Sequence, residues 1–288
     1  MFAKKSFISL VSLVFITPIA LSGCASPESS QPANTSETTV ETAATDETGI
    51  LKLVANGEDF VRQGFITKDG WQITFDNVFV TLADVIAYQT DPPYNPDSDK
   101  AIASKTKVFL LEGDKIIDLA EGDINADPLV ITEVKAPTGM YNALAWKVVQ
   151  SDNGESEDQA ILLKGKAEKE GKILEFAIAF DKELNYSCGE FVGDERKGIV
   201  KDSATAEMET TFHFDHIFGD AEAPTDDAIN TDSIGFDPFI PFAKDGKITV
   251  DLATLKENLD PATYQTLEKA IAGLGHVGEG HCKKMNND

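Results

Sequence analysis

Hydrophobic and polar positions alternate over residues 172–180, where Leu174, Phe176, Ile178 and Phe180 are separated by Glu175, Ala177 and Ala179. A period of two marks a strand buried on one face. Runs rich in Val, Ile, Phe and Thr extend the same reading to 51–55, 71–82, 85–89, 108–111, 115–119, 129–134, 141–149, 160–165 and 207–214. Clusters of Gly, Asp, Asn and Pro separate them, and Asp152-Asn153-Gly154 and Glu170-Gly171 stand where hairpin turns are needed. Many short strands without β-α-β alternation predict a mainly β fold, an antiparallel sandwich or barrel formed as one domain over residues 50–220.

The pattern changes after Gly219. Residues 220–232 are acidic and loop-like, residues 236–242 form an aromatic segment broken by Pro238 and Pro241, and Asp245-Gly246 reads as a turn before 247–250. Helical signals follow. Asp251 can cap a short helix carrying Leu252 and Leu255, and Asp260-Pro261 places a capping acid before a proline at the first helical position. Tyr264, Leu267, Ile271 and Leu274 fall on one face of that second helix, with Gly273 or Gly275 to end it. Residues 221–288 therefore read as a loop and short α-helical C-terminal extension packed on the sandwich.

Upstream of the strands, Lys4 and Lys5 precede an apolar run over 7–20, and small residues lead to a cysteine. This is the layout of a secretory signal peptide, and the run is too short, and too interrupted by Pro18, for the roughly 20 residues of a spanning helix. Leu21-Ser22-Gly23-Cys24 resembles the lipobox of bacterial lipoproteins. That resemblance implies a signal peptide over 1–23, lipidation of Cys24 by palmitate-type acyl chains, and a chain held at a bacterial membrane in the cell envelope, facing the periplasm or the exterior. Residues 24–49 then form an acidic tether. From 25 to 49 there is no basic residue, no aromatic and one large aliphatic, Val40, which is too little apolar surface to offset ordering entropy. A flexible chain of that length has an r.m.s. reach of about 25–30 Å.

Charge narrows the partners. Without residues 1–23 the chain keeps 23 basic against 49 acidic side chains, a formal charge of −26. Nucleic acid is excluded, because its binding rests on clustered Lys and Arg; an anionic bilayer surface repels the domain, so the lipid must do the anchoring. Cations are attracted. Of three cysteines, lipidation of Cys24 leaves Cys188 and Cys282 as the one intramolecular pair. A disulfide is expected, with two thiolate metal ligands as the alternative.

The four histidines form two pairs with none elsewhere: His213 and His216 within residues 211–220, His276 and His281 within a glycine-rich 275–282. Neutral imidazole is the commonest transition-metal ligand, so the two pairs together could hold one ion of copper or zinc, assisted by Asp215 or Glu279. On an ideal strand His213 and His216 face opposite sides, so convergence requires the strand to end or bulge near Asp215. A disulfide at Cys282 would pin His281 and bring the second pair toward the first.

Other constellations point elsewhere. The acidic loops 91–99 and 226–232 offer oxygens for calcium but lack EF-hand spacing and read as solvated turns. Trp71 and Trp146, inside strand patterns, read as core. No Gly-x-Ser-x-Gly or phosphate-cradling glycine motif occurs.

Finally, the order Gly70-Trp71 through Leu82, then Ile117-Asp118-Leu119, then Gly139-Met140-Tyr141 resembles the sandwich domains of bacterial surface lipoproteins, such as the methanobactin-associated copper-binding protein. The resemblance spans about residues 50–220. It implies an immunoglobulin-like or transthyretin-like sandwich and copper as the metal, and carries over no ligand. The expectation is thus a lipid-anchored, non-enzymatic protein that captures copper or zinc and hands it on, with an envelope protein or metal carrier as partner. A metal-free surface lipoprotein binding a protein or polysaccharide through residues 236–242 is the alternative, followed by a metal-dependent hydrolase.

Overall fold

The computed structural model describes residues 47–98, 100–189, 198–278 and 280–285, with His281 described through its backbone alone. The signal peptide, Cys24, residues 24–46 of the tether and Glu279 lie outside the described residues. The chain is mainly β, 47% strand against 18% helix, and sandwich-like. In order it runs β1 Thr48–Asn56, α1 Glu58–Gln63, β2 Phe65–Ile66, β3 Gln72–Gln89, β4 Thr106–Asp118, β5 Leu129–Pro137, β6 Gly139–Met140, β7 Ala143–Val148 and β8 Ile161–Lys169. There follow β9 Lys172–Phe180, β10 Leu184–Gly189, β11 Ile199–Val200, β12 Thr205–Phe212, α2 Asp215–Phe218, α3 Ala228–Thr231, β13 Lys247–Asp251, α4 Leu252–Asn258, α5 Pro261–Ala272, β14 Gly275–Val277, β15 Gly280–His281 and β16 Lys283–Met285.

The strand expected at 172–180 is β9, and Leu174, Phe176, Ile178 and Phe180 are its buried residues. Its register with β8, Ile161 opposite Phe180 through Lys169 opposite Lys172, is closed by the Glu170-Gly171 turn. Two expected pairs of strands fuse. Residues 71–82 and 85–89 become the single β3, bent by register shifts at Phe75/Asn77 and near Ala83–Ile86; 108–111 and 115–119 become β4. The bends let β3 pair with β8 through its first half and with β7 through its second, which curls the larger sheet.

That sheet has nine strands along the path β13-β9-β8-β3-β7-β10-β16, with β2 and β4 also on β3; the smaller has five, β15-β14-β12-β1-β5. Most pairings are antiparallel, as the turn chemistry requires, but β1 lies parallel to β12 and β13 parallel to β9. Parallel neighbours need long crossovers, and both pairs join segments far apart in the chain.

Two boundaries fall differently from the expectation. β1 begins at Thr48, paired to Pro137, so residues 48 and 49 belong to the sheet and not to the tether. After residue 220 the chain is more than a helical layer laid on the sandwich: it supplies β13 and β16 to the larger sheet and β14 and β15 to the smaller. The two helices do form where capping predicts, Asp251 accepting from the Thr254 amide and Asp260 from the Ala262 and Thr263 amides.

The core is aromatic. Trp146 packs on Tyr186 and Phe212 at ring-centroid distances of 4.4 and 5.1 Å, and Phe176 lies between Phe75 and Phe236 at 5.9 and 5.6 Å. Trp71 and Trp146 are buried, as their strand positions predict. Phe236 and Phe239 are fully buried against Phe218, while Ile240 and Phe242 are half-buried and Asp237 and Pro241 exposed, so two rings of the segment 236–242 belong to the core. Burying one such ring contributes about 1.5–3 kcal/mol.

Candidate metal centre

The histidines converge because β12 stops. Its last residue is Phe212, a buried ring stacked 6.3 Å from Phe214, and the chain then winds into the single turn of α2. The His216 amide donates to the His213 carbonyl at 3.3 Å, and Ile217 to Phe214 at 3.0 Å. On a helical turn, positions three apart face the same way, which removes the opposition an ideal strand would have imposed. Gly219, at φ 67°, ends the turn in a left-handed conformation that side chains other than glycine rarely adopt.

The second pair arrives by tertiary pairing. β14 adds to β12 with Thr211 opposite His276, and the His213 amide donates to the Leu274 carbonyl at 3.1 Å. β14 and β15 form a tight hairpin whose register places His276 opposite His281. Immediately after it, Cys282 is disulfide-bonded to Cys188 of β10, and β16 pairs with β10. The bridge therefore ties the hairpin of the smaller sheet to the larger one, and both sulfurs are committed to it. Closing 94 residues of sequence separation contributes at most about 4–5 kcal/mol in the chain-entropy account, and a native bridge typically delivers less.

His213, His216 and His276 each offer a ring nitrogen, and these nitrogens all lie within 4.8 Å of one another. Ring centroids are 5.8 Å apart for His213 and His216, 5.0 Å for His216 and His276, and 4.0 Å for the stacked pair His213 and His276. Two imidazoles on one tetrahedral ion, at Zn–N distances near 2.0–2.1 Å, hold their centroids about 5 Å apart. The spacing of His216 and His276 matches, that of His213 and His216 is wider by about 0.8 Å, and the stacked pair must open by about an ångström. At Gly273 a Cβ would stand 3.3 Å from His216 Nδ1, so a side chain there would crowd that ring.

Asp215 sits beside this group and is not within it; the set joined at 4.8 Å holds three imidazoles and no carboxylate. The aspartate is only 9% exposed, and its Oδ1 has no hydrogen-bond partner among the described residues. Burial pushes its carboxyl above the usual range, against the opposing pull of His213. A nearby cation would relieve this buried acid, so the surroundings of the three rings fit a metal ion. Glu279 and the His281 side chain lie outside the described residues.

One neighbour left no signal in the sequence. Glu58, at the start of α1, brings Oε1 to 3.5 Å from His213 Nε2. Its backbone takes φ 58°, and its amide donates to Asn56 Oδ1 at 3.1 Å. Asn56 Nδ2 in turn donates to the buried Glu209 carboxylate at 3.1 Å; that carboxylate also accepts from Thr211 Oγ1 at 3.3 Å, and Thr211 Oγ1 accepts from the Gly278 amide at 3.0 Å. One buried carboxylate thus links the end of β1, the end of β12 and the β14–β15 turn. Supporting contacts of this kind hold ligand-bearing segments in place.

The chain matches no protein-family model, no curated protein and no solved structure. Among the described residues no helix is long and apolar enough to cross a membrane.

Proposed function

We propose that this protein is a lipid-anchored, extracytoplasmic metal-binding protein that captures copper or zinc through His213, His216 and His276, with His281 as the fourth donor. The observation that carries the reading is the convergence of three imidazole nitrogens within 4.8 Å. Nitrogen-only donors of this kind suit Cu(II) and Zn(II), whereas calcium and magnesium prefer oxygen. The buried Asp215 carboxylate would supply compensating negative charge, and the disulfide fastens the hairpin that carries His276 to the larger sheet. Capture without catalysis follows if four protein nitrogens close the coordination shell; a three-histidine site would leave a position for water.

Titration of the purified apo domain with Cu(II) and Zn(II) tests this. One equivalent of tightly bound ion is expected, lost in His213→Ala/His276→Ala. No stoichiometric uptake, or uptake unchanged in the double variant, overturns the reading. The anchor is tested separately: Cys24→Ser should release the protein from the membrane fraction and abolish palmitate labelling.

A further inference from the structure

Two separate clefts are lined in part by these histidines, one by His213 and the other by His216. The one at His216, of about 460 Å3, is lined by Asp227, Asp232 and Lys269, and the lysine pairs with Asp232 at 2.7 Å, so its charge is largely cancelled. The one at His213 is larger, about 660 Å3, and differs in kind. Glu58, Asp59, Asp215, Asp220 and Glu222 line it, and among the described residues no lysine or arginine does. Asp59 and Glu222 stand exposed at the rim, while Asp215 is nine-tenths buried and keeps an oxygen without a hydrogen-bond partner. Glu58 spans rim and centre, 3.5 Å from His213 Nε2.

Five carboxylates on low-dielectric walls concentrate cations and repel anions, and fields focused in this way raise association rates by about 10- to 1,000-fold. A carboxylate beside the first imidazole can also replace water on an arriving ion before nitrogen does. We infer that this cleft is the vestibule through which the histidine centre is loaded, and that the species it admits is a hydrated divalent cation and not an anionic metal chelate. The inference rests on the metal-binding reading above and names the substrate of that same site.

Stopped-flow loading of the full soluble domain with Cu(II) chloride, followed by quenching of tryptophan fluorescence, measures the rate; Trp146 packs on Phe212, next to His213. Neutralising the rim in Asp59→Asn/Glu222→Gln should lower the association rate constant about 5- to 10-fold at 10 mM salt, with the stoichiometry of one ion kept. The difference should vanish at 0.5 M salt, where the Debye length is only about 4 Å. A control with the same charge change at exposed sites elsewhere, Glu112→Gln/Glu257→Gln, should stay within about twofold. Loading from the anionic Cu(II)–nitrilotriacetate complex should be slower than from the aquo ion, and the ratio of the two rates should shrink in the rim variant. Stoichiometric uptake with equal rates in wild type and rim variant, or a rate ratio unchanged by the variant, overturns the vestibule and leaves the metal centre standing. No uptake at equilibrium overturns both.

Discussion

β9 and the β14–β15 hairpin are both β structure, yet they are held by different means. β9 is a nine-residue strand with four large buried side chains, bonded to β8 on one side and to β13 on the other. The hairpin consists of three residues against two and owes its place to the β12 pairing, the Thr211–Gly278 hydrogen bond and the Cys188–Cys282 bridge. Its helix-side neighbour α2 is a single turn, equally unable to stand alone. The candidate ligands thus sit on the segments with the least intrinsic stability, positioned by a scaffold that needs no help from them. Such a division lets the histidine-bearing segments change without disturbing the core.

The largest effect should come from the scaffold. Phe176→Ala empties a ring site between Phe75 and Phe236 and should cost about 3–5 kcal/mol, seen as a lower Tm, while protein that remains folded still binds one ion. Next, Cys188→Ala/Cys282→Ala should cost about 2–4 kcal/mol in denaturant unfolding. Unlike Phe176→Ala it should also weaken metal binding in the folded state, because the hairpin loses its fastening to β10. If affinity is unchanged, the bridge serves stability alone and the contrast between the two regions is weaker than drawn. Third, His276→Ala should reduce metal affinity by about 100-fold or more, at least as much as losing a supporting contact, with little change in apo stability. His281→Ala, measured alongside, distinguishes a four-nitrogen site from one that keeps a water.

The smallest effect belongs to the helix that follows β13. Asp251→Ala removes a cap that accepts the Thr254 amide at 2.7 Å and should cost about 1 kcal/mol. Hydrogen bonding to Thr254 holds the Asp251 carboxyl below its ordinary value. A depressed folded pKa means that the cap's contribution is present above the unfolded value, near 4, and is lost as the pH falls through the folded one. Urea melts of wild type and variant should therefore converge in acid, with metal binding at neutral pH unaffected.

Much of the fold was legible because its causes are local. Alternation located β9 to the residue, turn chemistry located the 170–171 hairpin, and capping acids located both α4 and α5. The lesser errors are also local: a bulge reads as a break, so β3 and β4 each appeared as two strands. The short α1 went unseen because six residues carry too little periodicity, and with it Glu58. Which rings of the segment 236–242 are buried was not legible, because exposure is not encoded in the run of residues itself; Phe236 packs on Trp71, Phe176 and Phe218, which come from other parts of the chain, as well as on Phe239.

The sequence by itself determined the strand alternation, the helix caps, the strong negative charge and the pairing of the histidines into two groups, since each depends on neighbours a few positions away. Only the tertiary structure decided that β12 ends at Phe212, that β14 docks opposite Thr211 and that Cys282 meets Cys188, which together bring His276 to His213. Those choices depend on which distant segments can pack without leaving a buried hydrogen-bonding group unmet or a hydrophobic face exposed, and that competition is resolved over the whole chain at once.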